Sequence, residues 1–338
     1  MAQNYETVKY SRSQVKKAGK AFVSPDTSDE DKKAALEIIN NWRAAHSFPL
    51  QTIYMHIRNS FGAEAIIAQR LKRKYSITQK LVRFPNMSLT SMQDIGGCRV
   101  IVESIDQIYS IVNQLKHSRM RHVLKEEYDY ISNPKADGYR SYHMVYSYVS
   151  DRNPTYNGLF IEIQIRTHIQ HLWATAVETM DTFTGDPLKN GRGNQTNREF
   201  FILVSRLLQI YEASKYSAEK VKHSEALLEF IEFEKKNNVL RKLKTIQLAV
   251  QVVEKDDSGN PYYILHLDRK NHRVQITSYS KKELEKATDD YAALETEKSD
   301  DDDIVLVSTT SHNSLKKAYP NYFSDVSEFI GLIESFIK

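Results

Sequence analysis

The chain has almost no cysteine. Cys98 stands alone among 338 residues, which excludes an internal disulfide and a zinc site built on cysteine thiolates. A reducing compartment, the cytoplasm, is expected. No run of about 18 apolar residues occurs, so no membrane-spanning helix and no membrane partner are expected. Met1 to Tyr10 is polar and lacks the apolar segment of a secretory signal. What the chain does have is charge, unevenly divided. The formal net charge is +4. Residues 241–338 hold 14 Lys/Arg against 17 Asp/Glu, a net of −3, which leaves +7 on residues 1–240. That asymmetry suits a polyanionic substrate for the first part and docking by the second, or it is ordinary scatter of surface charge. The length admits two domains, expected at residues 1–240 and 241–338.

The most informative stretch runs from Gln93 to Glu178. Asp94 precedes the apolar run Cys98–Val102. Phe160–Arg166 alternates, so that Glu162, Gln164 and Arg166 share one strand face and Ile161, Ile163 and Ile165 the other. Three polar groups in a row on one face require water, each other, or a ligand. Between these strands lies a basic loop, Asn133 to His143, with Pro134 and Gly138. The order from Asp94 is strand, helix (104–117), strand (126–131), loop, strand (142–149), strand (160–166), helix (168–180). It predicts a mixed sheet with helices on one or both faces.

Upstream, a helix capped by Ser11 or Ser13 carries Arg12, Lys16 and Lys17, with Gly19 as a possible stop. It reads as a phosphate-contacting helix or as a solvated face. Ser28-Asp29-Glu30-Asp31 starts a second helix, with acids where the helix dipole favours them. A third is expected from about Leu50 to Lys74. Its end collects Arg70, Lys72, Arg73, Lys74 and Lys80, cations that suit a triphosphate or a plain basic patch.

These ordered motifs resemble the synthetase domain of the RelA/SpoT homologues, the alarmone synthetases, over about residues 50–185. Arg70-Leu71-Lys72 with Ser76, Ile77 and Lys80 looks like that family's ATP-binding motif. Asp94 to Arg99 looks like its metal-binding strand. Asn133-Pro134-Lys135 through Gly138-Tyr139-Arg140-Ser141 to His143 looks like its acceptor loop, and Glu162 to Thr167 with Trp173 like its second acidic strand. The family often has Glu-His after the Trp helix, whereas Glu178 is followed here by Thr179. The resemblance implies an α+β fold with a mixed, nucleotidyltransferase-like sheet flanked by helices. It implies transfer of the β,γ-pyrophosphate of ATP to a ribose 3′-hydroxyl. Asp94 and Glu162 would hold Mg²⁺, and Glu162 would alternatively accept the hydroxyl proton. Arg70, Lys72, Ser76, Lys80 and Arg99 would bind ATP, with Arg70 and Arg99 around the adenine. Lys135, Tyr139, Arg140, His143, Gln164 and Arg166 would bind the acceptor, with Tyr139 stacked on its base. The basic opening Tyr10–Gly19 is similar to that of a toxic branch that modifies the 3′-terminal adenosine of tRNA, which makes Arg12, Lys16 and Lys17 tRNA contacts. Ordinary members act on GDP or GTP. No hydrolase domain is expected before the synthetase.

The last hundred residues read as a small α+β module. One or two helices span 198–244. Strands follow at 246–253, 262–267 and 274–279, the first two joined by a turn at Asp256–Asn260. A helix (281–297), an acidic loop (299–303), a short strand (304–308) and two helices (311–318, 324–337) complete it. Between the last two lies Tyr319-Pro320-Asn321-Tyr322-Phe323. It resembles the Tyr-x-x-Tyr element of CapRel-type fused toxin–antitoxins, whose C-terminal pseudo-zinc-finger region folds back so that the tyrosines block the ATP site until a phage capsid protein releases them. The alternative is that Tyr319 and Tyr322 are simply core. The resemblance implies Mg²⁺ and ATP, no zinc, a tRNA acceptor end and a phage protein as partners, and a monomer.

Overall fold

A computed structural model describes residues 5–185, 188, 193–249, 251–254, 260–268, 271, 273–297, 302–309, 315, 317–319 and 326–338. Ser11 caps α1 (Arg12–Val23) in a capping box with Gln14, and Ser28 caps α2 (Asp29–Ala45). Gly19 does not stop α1. The helix runs on to Val23, and Gly19 packs beneath Leu89.

The third helix is shorter than expected. α3 spans Ser47–Phe61, and the chain then turns into strand β1 (Ile66–Leu71) before α4 (Lys74–Arg83). Gly62 makes the break. Its amide bonds the Arg58 carbonyl, and a Cβ there would lie 2.4 Å from that oxygen. Arg70 therefore lies in a strand and Lys72 just beyond it. Next come β2 (Gly96–Val102), α5 (Ile105–Lys116), β3 (Val123–Asp129), β4 (Tyr142–Ser147), β5 (Phe160–Thr167) and α6 (His168–Thr184). The order predicted from Asp94 onward holds, with shifted ends.

Ile161, Ile163 and Ile165 are fully buried together with Cys98, Val100 and Val102 against α3 and α5. Burial of that continuous apolar face pins the register, because a one-residue slip would reverse every side chain. A second core forms on α6, α7 (Gln195–Ala213), α9 (Glu225–Asn237) and α10 (Val239–Ala249), with α8 (Ala218–Lys222) between α7 and α9. The span 198–244 thus holds parts of four helices rather than one or two.

The last part of the chain contributes β6 (Gln251–Glu254), β7 (Tyr262–Asp268), β8 (Arg273–Tyr279), α11 (Leu284–Glu297), β9 (Asp302–Ser308) and α12 (Ser327–Ile337). The expected hairpin between β6 and β7 is absent from this arrangement. β6 pairs in parallel with β8, and β7 pairs antiparallel with β8 and β9. The turn residues 255–259 lie outside the described residues. β9 also pairs with β1 through Gln69↔Ser308 and Arg70↔Val307. Among the described residues a nine-stranded mixed sheet results, in the order β3-β4-β5-β2-β1-β9-β7-β8-β6. α12 buries Phe329, Ile330, Ile333 and Phe336 in the α6–α7 core. No helix among the described residues is long and apolar enough to cross a membrane.

Candidate active site

The strand register assembles the polar face. β2 and β5 are parallel, with Gly97 beside Glu162 and Arg99 beside Gln164. β1 places Arg70 beside Gly97 on the other flank, and β4 places His143 beside Gln164. Gly97 therefore sits between Arg70 and Glu162. A Cβ there would meet only the Arg70 carbonyl, at 3.8 Å, so the glycine leaves open floor between cation and carboxylate.

The two carboxylates are separately partnered. Lys72 and Lys80 donate to the two oxygens of Asp94 at 2.8 and 2.9 Å. Burial alone would raise the Asp94 pKa, but the two ammonium groups outweigh it and hold the carboxyl ionised far below its usual range. Glu162 lies 2.9 Å from His143 Nδ1 and accepts from Gln164 Nε2 at 2.7 Å. Burial again works to raise its pKa, and His143 wins and lowers it. His143 Nε2 is in turn 2.9 Å from the Tyr139 hydroxyl. Burial disfavours the imidazolium, yet Tyr139 and Glu162 together push its pKa up to about 9.

That last value sets a pH dependence. The folded pKa of His143 lies above the ordinary 6.5, so its contribution is complete below pH 6.5 and is lost as pH rises through about 9. The pair is expected to contribute roughly 2–3 kcal/mol to stability at pH 6 that disappears by about pH 10. Denaturant titrations of wild type and His143→Gln across this range would measure it. Equal pH dependence in the two proteins would remove His143 as the responsible group.

Asp94 and Glu162 fit a hard divalent cation. Both supply carboxylate oxygens, their side chains keep 21 % and 15 % exposure, and the floor at Gly97 is open. They are near enough for Asp94 to disfavour ionisation of Glu162. No group of three or more His, Cys, Asp or Glu side chains suited to a metal occurs among the described residues, so further ligands would come from phosphate oxygens and water.

Of the other expected residues, Ser76 lies in the first turn of α4 beside Lys80's helix face. Lys135 places its ammonium 4.3 Å from the Tyr130 ring centroid and 5.1 Å from that of Tyr139. Arg166 is buried and bonds His171 Nδ1 at 2.5 Å, while His171 Nε2 faces the Lys317 carbonyl at 2.6 Å. Burial, with Arg166 and Arg99 nearby, keeps His171 neutral. Arg140 is not brought to the site. Its guanidinium pairs with buried Glu212, which also takes bonds from Thr167 and Gln170, so this arginine ties the loop before β4 to α7. Arg12 spends its guanidinium on the Asn157 and Gly158 carbonyls and lies 5.6 Å from the Trp42 ring centroid, whereas Lys16 and Lys17 are exposed.

The C-terminal part closes over this face. Tyr319, 2 % exposed, lies with its ring centroid 5.3 Å from the Arg99 guanidinium carbon, and its hydroxyl donates to the Gln69 carbonyl at 3.2 Å. Arg99 Nη1 donates to the Ala318 carbonyl at 2.5 Å. Tyr322 lies outside the described residues. Arg43 and Tyr291 were not singled out by sequence. Arg43 donates through Nε to the Lys72 carbonyl and through Nη2 to the Tyr291 hydroxyl at 2.7 Å, joining the cation cluster to α11. Tyr130 was also missed. It meets His143 edge-on at 5.3 Å and stacks with Tyr128 at 5.7 Å. The spacing of Tyr128 and Tyr130 around β3 was the available signal.

Comparison with known proteins places residues 69–181 in a match to the family described as the region found in RelA / SpoT proteins. The GTP pyrophosphokinase YjbM of Bacillus subtilis is 33 % identical over 134 residues, which cover 39 % of this chain and 63 % of that protein. YwaC of the same organism, also a GTP pyrophosphokinase, is 32 % identical over 112 residues, covering 33 % and 50 %. The matches thus span between half and two thirds of these relatives' length. Among solved structures, a GTP pyrophosphokinase family protein from Streptococcus pneumoniae aligns over 49 % of this chain and 85 % of its own, with 26 % identity and a TM-score of 0.42. The departure Glu178-Thr179 lies within α6, the helix that carries Trp173, and inside the matched region.

Proposed function

We propose that this chain transfers the β,γ-pyrophosphate of ATP to a ribose 3′-hydroxyl, releasing AMP. The carrying observation is the pairing on one open strip of two carboxylates, Asp94 and Glu162, with Lys72 and Lys80. A bound Mg²⁺, held by Asp94 and Glu162, would withdraw charge from the transferring phosphoryl group. The chain's own part is as follows. Arg70, Lys72 and Lys80 neutralise the triphosphate, with the lysine ammonium groups moving from Asp94 to phosphate. Arg99 offers its guanidinium plane to the adenine. Glu162, kept ionised and aimed by His143 and Gln164, accepts the hydroxyl proton. Tyr139 and Tyr130, with Lys135 above them, flank the acceptor.

In this reading the closed arrangement is self-inhibited, since the Tyr319 ring occupies the plane that Arg99 would give to adenine. A phage protein, such as a capsid protein, that binds residues 241–338 would release it. The acceptor is the 3′-terminal adenosine of tRNA, favoured by exposed Lys16 and Lys17 on α1. A second reading has a specific support as well: the relatives' names specify GTP pyrophosphokinases, which favours free GDP or GTP.

The deciding experiment uses Tyr319→Ala protein, Mg²⁺ and γ-labelled ATP, with deacylated tRNA in one reaction and GDP, GTP and AMP in another. Label in tRNA is expected. Label in free nucleotides alone would make the second reading the right one. Label in neither, with folded protein and bound ATP, would end the transferase assignment.

A further inference from the structure

Behind the catalytic strip, on the side of the sheet that α3 covers, lies a cavity of about 330 Å³. Thr52 and His56 line it from α3, Arg121 and His122 from the segment after α5, and Ser150 and Arg152 from the loop after β4. The cavity is rich in donors and poor in acceptors. Its only carboxylate, Asp151, is exposed and pairs with Arg121 at 2.7 Å. His122 Nδ1 accepts the Val149 amide at 3.2 Å, and the ring stacks on Tyr148 at 4.5 Å. The neutral ring must then carry its proton on Nε2, which makes that atom a fixed donor. Arg152 makes no hydrogen bond or ion pair among the described residues, and His56 lies near enough to His122 to disfavour protonation of that ring. Between Asp106 and Glu126 the chain has no carboxylate, but it has Lys116, His117, Arg119, Arg121, His122 and Lys125.

The cavity also connects to the basic first helix. The Ser150 amide donates to Asn157 Oδ1, and the Asn157 and Gly158 carbonyls take the guanidinium of Arg12 in α1. The loop that carries Arg152 thus also holds Arg12 of α1, the helix on which Lys16 and Lys17 are exposed, and through Asp151 it holds Arg121. A single small anion would use one end of such a track. A polymer of phosphates would use its length.

We propose that this cavity, with Arg121, Arg152 and the Nε2–H of His122, binds backbone phosphates of an RNA, separately from the catalytic strip. The proposal builds on the RNA-acceptor reading, so its test avoids catalysis. The probe is tRNA lacking its 3′-terminal adenosine, which has no acceptor hydroxyl of the proposed kind. Filter binding to the full chain would be measured across a range of KCl. For Arg121→Ala/Arg152→Ala, binding about tenfold weaker and a log K against log salt slope shallower by about 2 are expected, the signature of two lost phosphate contacts. Lys235→Ala/Lys236→Ala removes equal charge from exposed positions on α9 and should leave both quantities unchanged. Unchanged RNA binding in the arginine variant would overturn the proposal, as would equal losses in both variants. Loss of inorganic tripolyphosphate binding with RNA binding intact would assign the cavity to small anions and overturn it too. If the truncated tRNA binds through these arginines while intact tRNA takes no label, the acceptor reading fails and the RNA site stands.

Discussion

Glu162→Gln is expected to reduce pyrophosphate transfer by about 10²–10⁴-fold on whichever acceptor the enzyme uses. The substitution keeps the shape of the side chain and a carbonyl oxygen for His143, but it removes the charge. The wild-type carboxylate is held ionised by His143 and receives Gln164 as a second donor. An amide can neither accept the hydroxyl proton nor ligate a divalent cation with comparable strength. It also withdraws the partner that helps hold His143 protonated. In the reading proposed above, ATP would be held by Arg70, Lys72, Lys80 and Arg99 rather than by Glu162, so ATP affinity in the absence of Mg²⁺ is expected to stay near wild type. Single-turnover label transfer in a Tyr319→Ala background measures the first quantity, and calorimetric titration the second. Transfer within a few-fold of the parent would remove Glu162 from the chemistry.

Tyr319→Ala carries the second large effect, in the opposite direction. The ring is buried among Ala68, Leu315 and Ala318, its hydroxyl bonds the Gln69 carbonyl, and its face meets Arg99. Truncating a buried aromatic costs about 3–5 kcal/mol. Part of that cost falls on the C-terminal region's own core, since Tyr263 and Val307 share the cluster. If about 3 kcal/mol falls on docking, the closed-to-open ratio drops by roughly two orders of magnitude, and apparent ATP affinity rises by up to that factor. Tyr319→Phe loses only the hydroxyl bond and should move affinity about fivefold, from roughly 1 kcal/mol. ATP titration of the three proteins, each checked for an intact thermal transition, distinguishes these outcomes. Equal affinity in folded Tyr319→Ala and wild type would show that the tyrosine does not gate the site.

The polar strip on β5 was legible because its signal is local. Glu162, Gln164 and Arg166 alternate with three isoleucines, and alternation alone assigns the faces. Asp94 was legible by its place before an apolar strand. β1 was not. Ile66 to Leu71 has both faces covered, with Gln69 bonded to Gln51 of α3 on one side and Ala68 in the C-terminal core on the other. Its composition reads equally well as the end of a helix, and only Gly62 marked the break. Arg140 was expected at the site because the loop from Asn133 to His143 resembles the family's acceptor loop. That its partner is Glu212, 72 residues away, is a long-range fact with no local trace. The pairing of β6 with β8 escaped for the same reason, since a turn-like sequence predicts a neighbour and says nothing of a crossover.

The seam between β1 and β9 has a further consequence. It consists of two residue pairs, whereas β7 and β9 share seven. In the released form proposed above, the sheet would part where its ladder is shortest. Both strands would then present unpaired amides and carbonyls beside the nucleotide strip. Bare strand edges recruit other strands, from peptides or from further copies of the same chain. If the chain is released as proposed, the closed form would shield an adhesive edge as well as a reactive centre, and release would also make the chain sticky.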